Sequence, residues 1–188
     1  MRLAVFGAAG RADRTVVDHA LRQGHEVRAL TRDPAAVART LNGADAIVST
    51  LGRQRRGPGI CTDGIRTVLS AAAGNGPRRL IVLSNYGVAD SRRRTAYVAV
   101  SWLIERAALN DKEQMEVFIR DTAWTIVRAS VLTTGPRTGR YRTGTDLRLS
   151  FTARVSRPDL AEFLLTELQP SGTATHPLID PNLFGDFC

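Results

Sequence analysis

Lysine is almost absent from this sequence. Lys112 stands alone among 26 basic residues, so the net charge of +8 is carried by arginine and reflects coding preference as much as function. The arginines are scattered, with short clusters at Arg53, Arg55, Arg56 and at Arg92, Arg93, Arg94 beside turn-forming residues, and no nucleic-acid-binding motif accompanies them. They read as solvated loop charge, with anion or partner binding as the alternative, and nucleic acid is not an expected partner. Cysteine is nearly as scarce: Cys61 and Cys188 form no framework, which argues against a disulfide scaffold or a thiolate metal site. Of the histidines, His19 in "VVDHALRQ" reads as a helix-surface residue, and neither His25 nor His176 has a partner at metal-ligand spacing. No run approaches the ~20 apolar residues a membrane span needs, and Met1 leads straight into a strand-like segment without a signal-peptide pattern. A cytoplasmic protein with no membrane partner is expected. Repeats, low-complexity tracts and interdomain linkers are also missing.

What is present is a globular composition, 43% apolar over 188 residues, which fits one domain spanning residues 1–188. Short β-branched runs alternate with amphipathic stretches, the pattern of an α/β fold with a doubly wound parallel sheet flanked by helices. Core strands are predicted at residues 3–6, 27–30, 46–50, 80–83 and 124–127, each mostly apolar as a strand buried on both faces should be, with a short sixth at 177–179. Helices are predicted at residues 12–23, 35–41, 63–73, 98–109, 112–120 and 158–168. Ser156 can cap the last of these, Pro158 suits its first turn, and Leu160, Phe163, Leu164 and Leu168 form one apolar face.

The segment "VFGAAGRAD" puts Gly7 and Gly10 at the junction of the first strand and first helix. There the backbone must turn tightly and can approach a pyrophosphate, which would rest on the free amides and positive end of the helix. After the second strand come Thr31 and Arg32, where an acidic residue would grip the ribose hydroxyl of NAD. An arginine at that place favours a 2′-phosphate and hence NADP, unless it is merely a solvated arginine after a strand.

The segments "AVFGAAG", "VRALTRDP", "ADAIVSTLG", "RRLIVLSNYGV", "WTIVRASVLTTGPRTGRYR" and "SRPDLAEFLL" follow one another in an order that spans almost the whole chain. Together they resemble the atypical short-chain dehydrogenase/reductases of the NmrA-like, biliverdin-reductase-B-like NAD(P)H-binding group, whose fold is Rossmann-like. By position, the resemblance implies that Gly7, Ala9, Gly10 and Arg11 surround the pyrophosphate, Arg32 the 2′-phosphate, and Leu51, Gly52 and Arg53 the adenosine and inner ribose. It implies that Ser84, Asn85 and Tyr86 flank the nicotinamide, and that Arg128 and Ala129 close the pocket beside it.

Three departures from that pattern bear on chemistry. Asp13 replaces a glycine that would allow close helix-on-strand packing, and it brings a negative charge towards the phosphates, which Arg11 and Arg14 can offset. The run "TRDPAAVARTLNGADAIV" passes directly from the second strand to the third, omitting a helix and strand whose end contacts adenine in the group, and this would leave the second strand as a sheet edge. The Ser-Tyr-Lys relay of the main dehydrogenase family is not assembled either: Tyr97 is followed four residues later by Ser101, and Lys112 is expected to begin a helix elsewhere. The resembling group also lacks this relay and works largely by positioning a flavin-like or tetrapyrrole-like acceptor.

Two further candidates come from the residues themselves. Tyr86, with Ser84 and Asn85 at a strand's carboxyl end, is better placed than Trp102 to meet a ligand. Glu116 lies in the acidic series Asp111, Glu113, Glu116 and is either a catalytic group or part of a charged helix face. The sequence thus reads as an NADPH-dependent reductase of a small conjugated acceptor such as a flavin, quinone or polyketide-like carbonyl compound. A cofactor-independent isomerase or cyclase and an NADP-sensing regulator are the alternatives.

Overall fold

Alternation along the first strand builds the two faces of the molecule. In β1 (Arg2–Phe6), Leu3 and Val5 point to one side of the sheet and Ala4 and Phe6 to the other, all of them buried. The chain then runs through α1 (Arg11–Arg22), β2 (Glu26–Leu30), α2 (Val37–Leu41), β3 (Ala46–Ser49), α3 (Ile60–Ala72) and β4 (Leu80–Asn85). A 3-10 turn at Ala89–Ser91 precedes α4 (Ala96–Val117), β5 (Thr125–Ala129), β6 (Val131–Thr133), β7 (Arg142–Gly144), β8 (Arg154–Ser156), α5 (Arg157–Glu167) and β9 (Leu178–Asp180). The computed structural model describes residues 1–7, 10–30, 36–52, 59–73, 76–77, 79–120 and 124–169, together with the backbone of 178–180.

The main sheet has the order β2-β1-β3-β4-β5-β9-β7, parallel throughout except for β7 against β9. Helices α1 and α5 cover one face, where Val16, Ala20, Leu160 and Leu164 meet Leu3, Val5, Val48, Ile81 and Val127. On the other face α2, α3 and α4 bring Val37, Leu41, Ile65, Val68 and Met115 against Ala4, Phe6, Ile47, Val82 and Ile126. This is the doubly wound Rossmann-like architecture that the alternating pattern predicts. Among the described residues no helix is long and apolar enough to cross a membrane.

Four sequence expectations need correction. β2 is not buried on both faces: Glu26, Arg28 and Ala29 are exposed, because β2 is the edge strand and pairs only with β1 among the described residues. This edge position is the one that the direct run into β3 implied. The helices expected at 98–109 and 112–120 are one, α4, and the irregularity falls at Glu105 (φ −119°, ψ 25°), so Lys112 lies inside a helix rather than at its start. Helix α3 starts earlier than expected, at Ile60, because Asp111 reaches across from α4 to cap it: the amides of Cys61 and Thr62 donate to its carboxylate at 2.9 and 3.0 Å. The short strands β6, β7 and β8 went unpredicted, since each is held by pairing with a distant segment.

Candidate functional site

The carboxyl ends of β1, β3, β4 and β5 converge where open parallel sheets bind ligands. Gly7 ends β1 with φ +107°, and a Cβ there would come within 3.1 Å of the Leu51 amide nitrogen, so glycine is what lets the two loops lie against each other. Gly10 then caps α1 with extended backbone, leaving the first amides of the helix facing the loop. Arg11 is exposed in the first turn. Arg157, the first residue of α5, stands near it; burial and then the like charge of Arg11 pull its guanidinium below the usual arginine range. Two cations therefore flank the end of α1.

Asp13 lies on the buried face of α1, in line with Val16 and Ala20. It is 3% exposed, and its side chain folds back so that Oδ2 accepts from the Gly10 amide at 3.0 Å. A Cβ on Gly10 would meet that oxygen at 2.1 Å, and one on Gly7 would meet Oδ1 at 3.1 Å, so the carboxyl fills the groove that both glycines leave open. Oδ1 is buried and has no hydrogen-bond partner. Burial pushes the Asp13 carboxyl up to about 7, against the opposing pull of the Gly10 amide and the positive charge of Lys112.

Lys112 is the residue that sequence reasoning placed elsewhere. From the middle of α4 its ammonium is buried and donates to the carbonyls of Leu51 at 2.5 Å and Leu83 at 2.6 Å, tying the end of β4 to the loop after β3. Being the only lysine was the available signal. Beside it, Asp111 is anionic: burial raises its carboxyl, but the Cys61 and Thr62 donors outweigh this and hold it below the usual carboxylate range.

Ser84 and Asn85, which end β4, and Tyr86, which follows it, behave differently from one another. Ser84 is buried with its hydroxyl unpartnered, and Asn85 is half-buried. Tyr86, expected from sequence to meet a ligand at the strand's carboxyl end, is 1% exposed and packs edge-on against Tyr97, with ring centres 5.6 Å apart. Val98, Leu149 and Ala153 complete this cluster, and the Tyr86 hydroxyl has no partner. Ser49 at the end of β3 and Ser130 after β5 carry two more buried, unpartnered hydroxyls, and neither was singled out in the sequence.

Arg128 and Glu116 form one unit. Nε of Arg128 donates to both carboxylate oxygens of Glu116 at 3.1 and 3.2 Å, and Nη2 to Oε2 at 2.6 Å, with Glu116 0% and Arg128 4% exposed. Exposed Asp90 lies 3.7 Å from the same guanidinium. Leu51 is half-buried and Gly52 exposed after β3. Ala9, Arg32 and Arg53 lie outside the described residues, as does Cys188. Among the described residues no cluster of metal-ligating side chains occurs.

Taken as a receptor, the site offers a glycine turn, a helix N-terminus flanked by cations and a set of buried hydroxyls. These fit a nicotinamide dinucleotide, with the Asp13 carboxylate as the one group opposed to its pyrophosphate.

Comparison with known proteins agrees with this reading. A family model described as NAD(P)H-binding matches residues 33–170, and one described as NmrA-like family matches residues 1–56. An uncharacterised protein of Mycobacterium tuberculosis (strain H37Rv) is 29% identical over a region covering 58% of this chain and 15% of that protein, so the chain spans only a small part of the curated relatives it matches. Among solved structures, a Streptococcus pneumoniae protein described as an NADH-flavin reductase superposes with a TM-score of 0.78 at 20% identity, over 97% of this chain and 100% of that one. The anaerobillin reductase ChuY of Escherichia coli O157:H7 gives 0.81 at 18%, over 99% and 100%. A wide-type short-chain dehydrogenase/reductase of Veillonella parvula in complex with NADP gives 0.75 at 15%, over 95% and 93%. At these identities the structural likeness speaks to the fold.

Proposed function

The chain belongs to the NAD(P)H-binding family, and we propose that it is an NADPH-dependent reductase acting on a small, flat, conjugated acceptor such as a flavin, a quinone or a polyketide-like carbonyl compound. The observation that carries this reading is the group of buried, unpartnered hydroxyls at one end of the sheet: Ser49, Ser84, Tyr86 and Ser130. A buried hydroxyl without a partner costs about 1–3 kcal/mol, and four at the carboxyl ends of β3, β4 and β5 argue for a polar ligand that satisfies them. The likeness to a flavin reductase and an anaerobillin reductase supports an acceptor that is planar and conjugated.

Bound NADPH supplies the hydride. Gly7, Ala9, Gly10 and Arg11 would hold its pyrophosphate against the end of α1, Arg32 its 2′-phosphate, and Leu51, Gly52 and Arg53 its adenosine side. Ser84, Asn85 and Tyr86 orient the acceptor and donate hydrogen bonds to negative charge that develops on it. Lys112 fixes the loop of Leu51 relative to β4 through its two carbonyl contacts, so the adenosine side and the acceptor side keep one spacing. Glu116 acts through Arg128 as a positioning residue, holding the guanidinium at the floor of the pocket.

One observation favours a second reading. The Asp13 carboxyl filling the glycine groove suits a chain that has given up the cofactor and holds a biosynthetic intermediate for isomerisation or cyclisation. Calorimetric titration with NADPH separates the two. Saturable binding, followed by oxidation of NADPH with a flavin or quinone from an acceptor panel, is the expected result. Absence of binding by wild type and by Asp13→Gly would overturn the reductase reading in favour of the second.

A further inference from the structure

We propose that the Asp13 carboxyl is a proton-operated gate on the dinucleotide site: ionised, it occupies the cradle as an internal anion, and protonated, it becomes a hydrogen-bond donor to the incoming pyrophosphate. The proposal rests on the NADPH reading above and adds to it that each cofactor bound to the ionised form brings a proton in with it.

The groove over Gly7 and Gly10 is the place where backbone amides meet a pyrophosphate, and the carboxyl oxygens already lie there, Oδ2 on the Gly10 amide and Oδ1 against Gly7. A dianionic pyrophosphate brought to the same amides would face this carboxylate across a buried groove, where charges are poorly screened. Oδ1 is the informative atom. It is buried and unpartnered, an arrangement unfavourable for an ionised oxygen and suitable for an O–H that awaits an acceptor.

The surrounding charges set the working range. From α4, Lys112 faces Asp13, but its ammonium is committed to the carbonyls of Leu51 and Leu83, so it acts through its field and makes no ion pair with the carboxylate. On α1 itself, Arg11 and Arg14 are exposed, and α5 contributes Arg157 beside Arg11. From the end of β1 the backbone of Gly7 lies against Oδ1. Burial outweighs these cations, and the carboxyl titrates near neutrality, with a midpoint of about 7. Below that pH the groove is neutral and competent to accept an anion. Above it the competent fraction falls, and apparent affinity falls in proportion.

The test uses purified wild type, Asp13→Asn and Asp13→Gly, titrated with NADPH by calorimetry from pH 6 to 8.5 in buffers of different ionisation enthalpy. The amide of Asp13→Asn mimics the protonated carboxyl, and Asp13→Gly empties the groove. For wild type, affinity should drop about tenfold between pH 6 and pH 8, with proton uptake rising towards one per cofactor. Both variants should lose that component and retain only the pH dependence that the 2′-phosphate itself brings, and at pH 8 each should bind about tenfold more tightly than wild type. Wild-type binding with the same pH profile and proton count as the variants would overturn the gate while leaving the reductase reading in place. Failure of all three proteins to bind NADPH at any pH would take both down together.

Discussion

Neutralising Glu116 tests whether it positions Arg128 or transfers protons. Its carboxylate has no exposed surface and receives three contacts of 2.6–3.2 Å from a guanidinium that is itself only 4% exposed. Glu116→Gln keeps the volume and removes the charge, leaving Arg128 buried against a neutral amide, with exposed Asp90 at 3.7 Å as its remaining counter-charge. Breaking a buried pair from one side costs about 3–5 kcal/mol, and the exposed carboxylate offsets little of it because water screens it. With a urea slope of about 1–3 kcal/mol/M, the unfolding midpoint should fall by about 1 M or more. Arg128→Met should be costly for the complementary reason. The double variant should recover most of either loss, since two neutral groups replace a charge pair whose desolvation was expensive. A loss under about 1 kcal/mol, or costs that simply add in the double variant, would refute the coupling. The pH dependence of turnover in Glu116→Gln should keep its shape, and disappearance of a titrating limb would return Glu116 to an acid-base role.

Three other outcomes are expected. Arg32→Ala should weaken NADPH about tenfold or more while leaving NADH nearly unchanged, because a charge-assisted phosphate contact is worth about 1.5–3 kcal/mol; equal losses for both cofactors by titration would remove Arg32 from the 2′-phosphate. Asn85→Ala and Tyr86→Phe should lower turnover, and Tyr86→Phe should leave the thermal midpoint of ligand-free protein unchanged or raised, since the hydroxyl it deletes is buried without a partner; wild-type rates in both would exclude them from the site. Asp13 should make ligand-free protein less stable as pH rises: its folded midpoint of about 7 lies above the ordinary 3.8, so the folded state holds the extra proton, and stability present below pH 4 is lost through pH 7. Asp13→Asn should remove that decline, a difference of about 2–4 kcal/mol at pH 8 by urea unfolding, and parallel pH curves for the two proteins would contradict it.

What the sequence made legible was whatever depends on neighbours in the chain. The turn at Gly7, the start of α1 and the cap of α5 by Ser156 follow from local geometry, and the apolar runs of β1, β3, β4 and β5 mark buried parallel strands. The edge position of β2 was also readable, from the direct run of the chain towards β3. Pairings across long separations were not. Strands β6 and β8 hold each other over a gap no periodicity spans, and α4 runs through "LNDKEQ" because Asp111 and Lys112 find partners on α3, in the loop after β3 and on β4.

The same limit bears on Asp13. A motif records residue types at positions, so a carboxylate in place of a glycine is read as a steric and electrostatic fault at the third position. Side-chain direction supplies what the motif omits. In the first turn of a helix a short acidic side chain reaches back to the N-cap amide, and here that amide belongs to Gly10, whose lack of a Cβ makes room for the carboxylate. The substitution at one position of the motif is accommodated by the glycine retained at another. The retained Gly10 therefore admits two occupants, an external phosphate or the chain's own carboxyl, and its presence alone does not distinguish a cofactor site from a self-capped helix. What distinguishes them is whether the carboxyl yields, and its burial with one oxygen unpartnered makes that a question of protonation rather than of sequence.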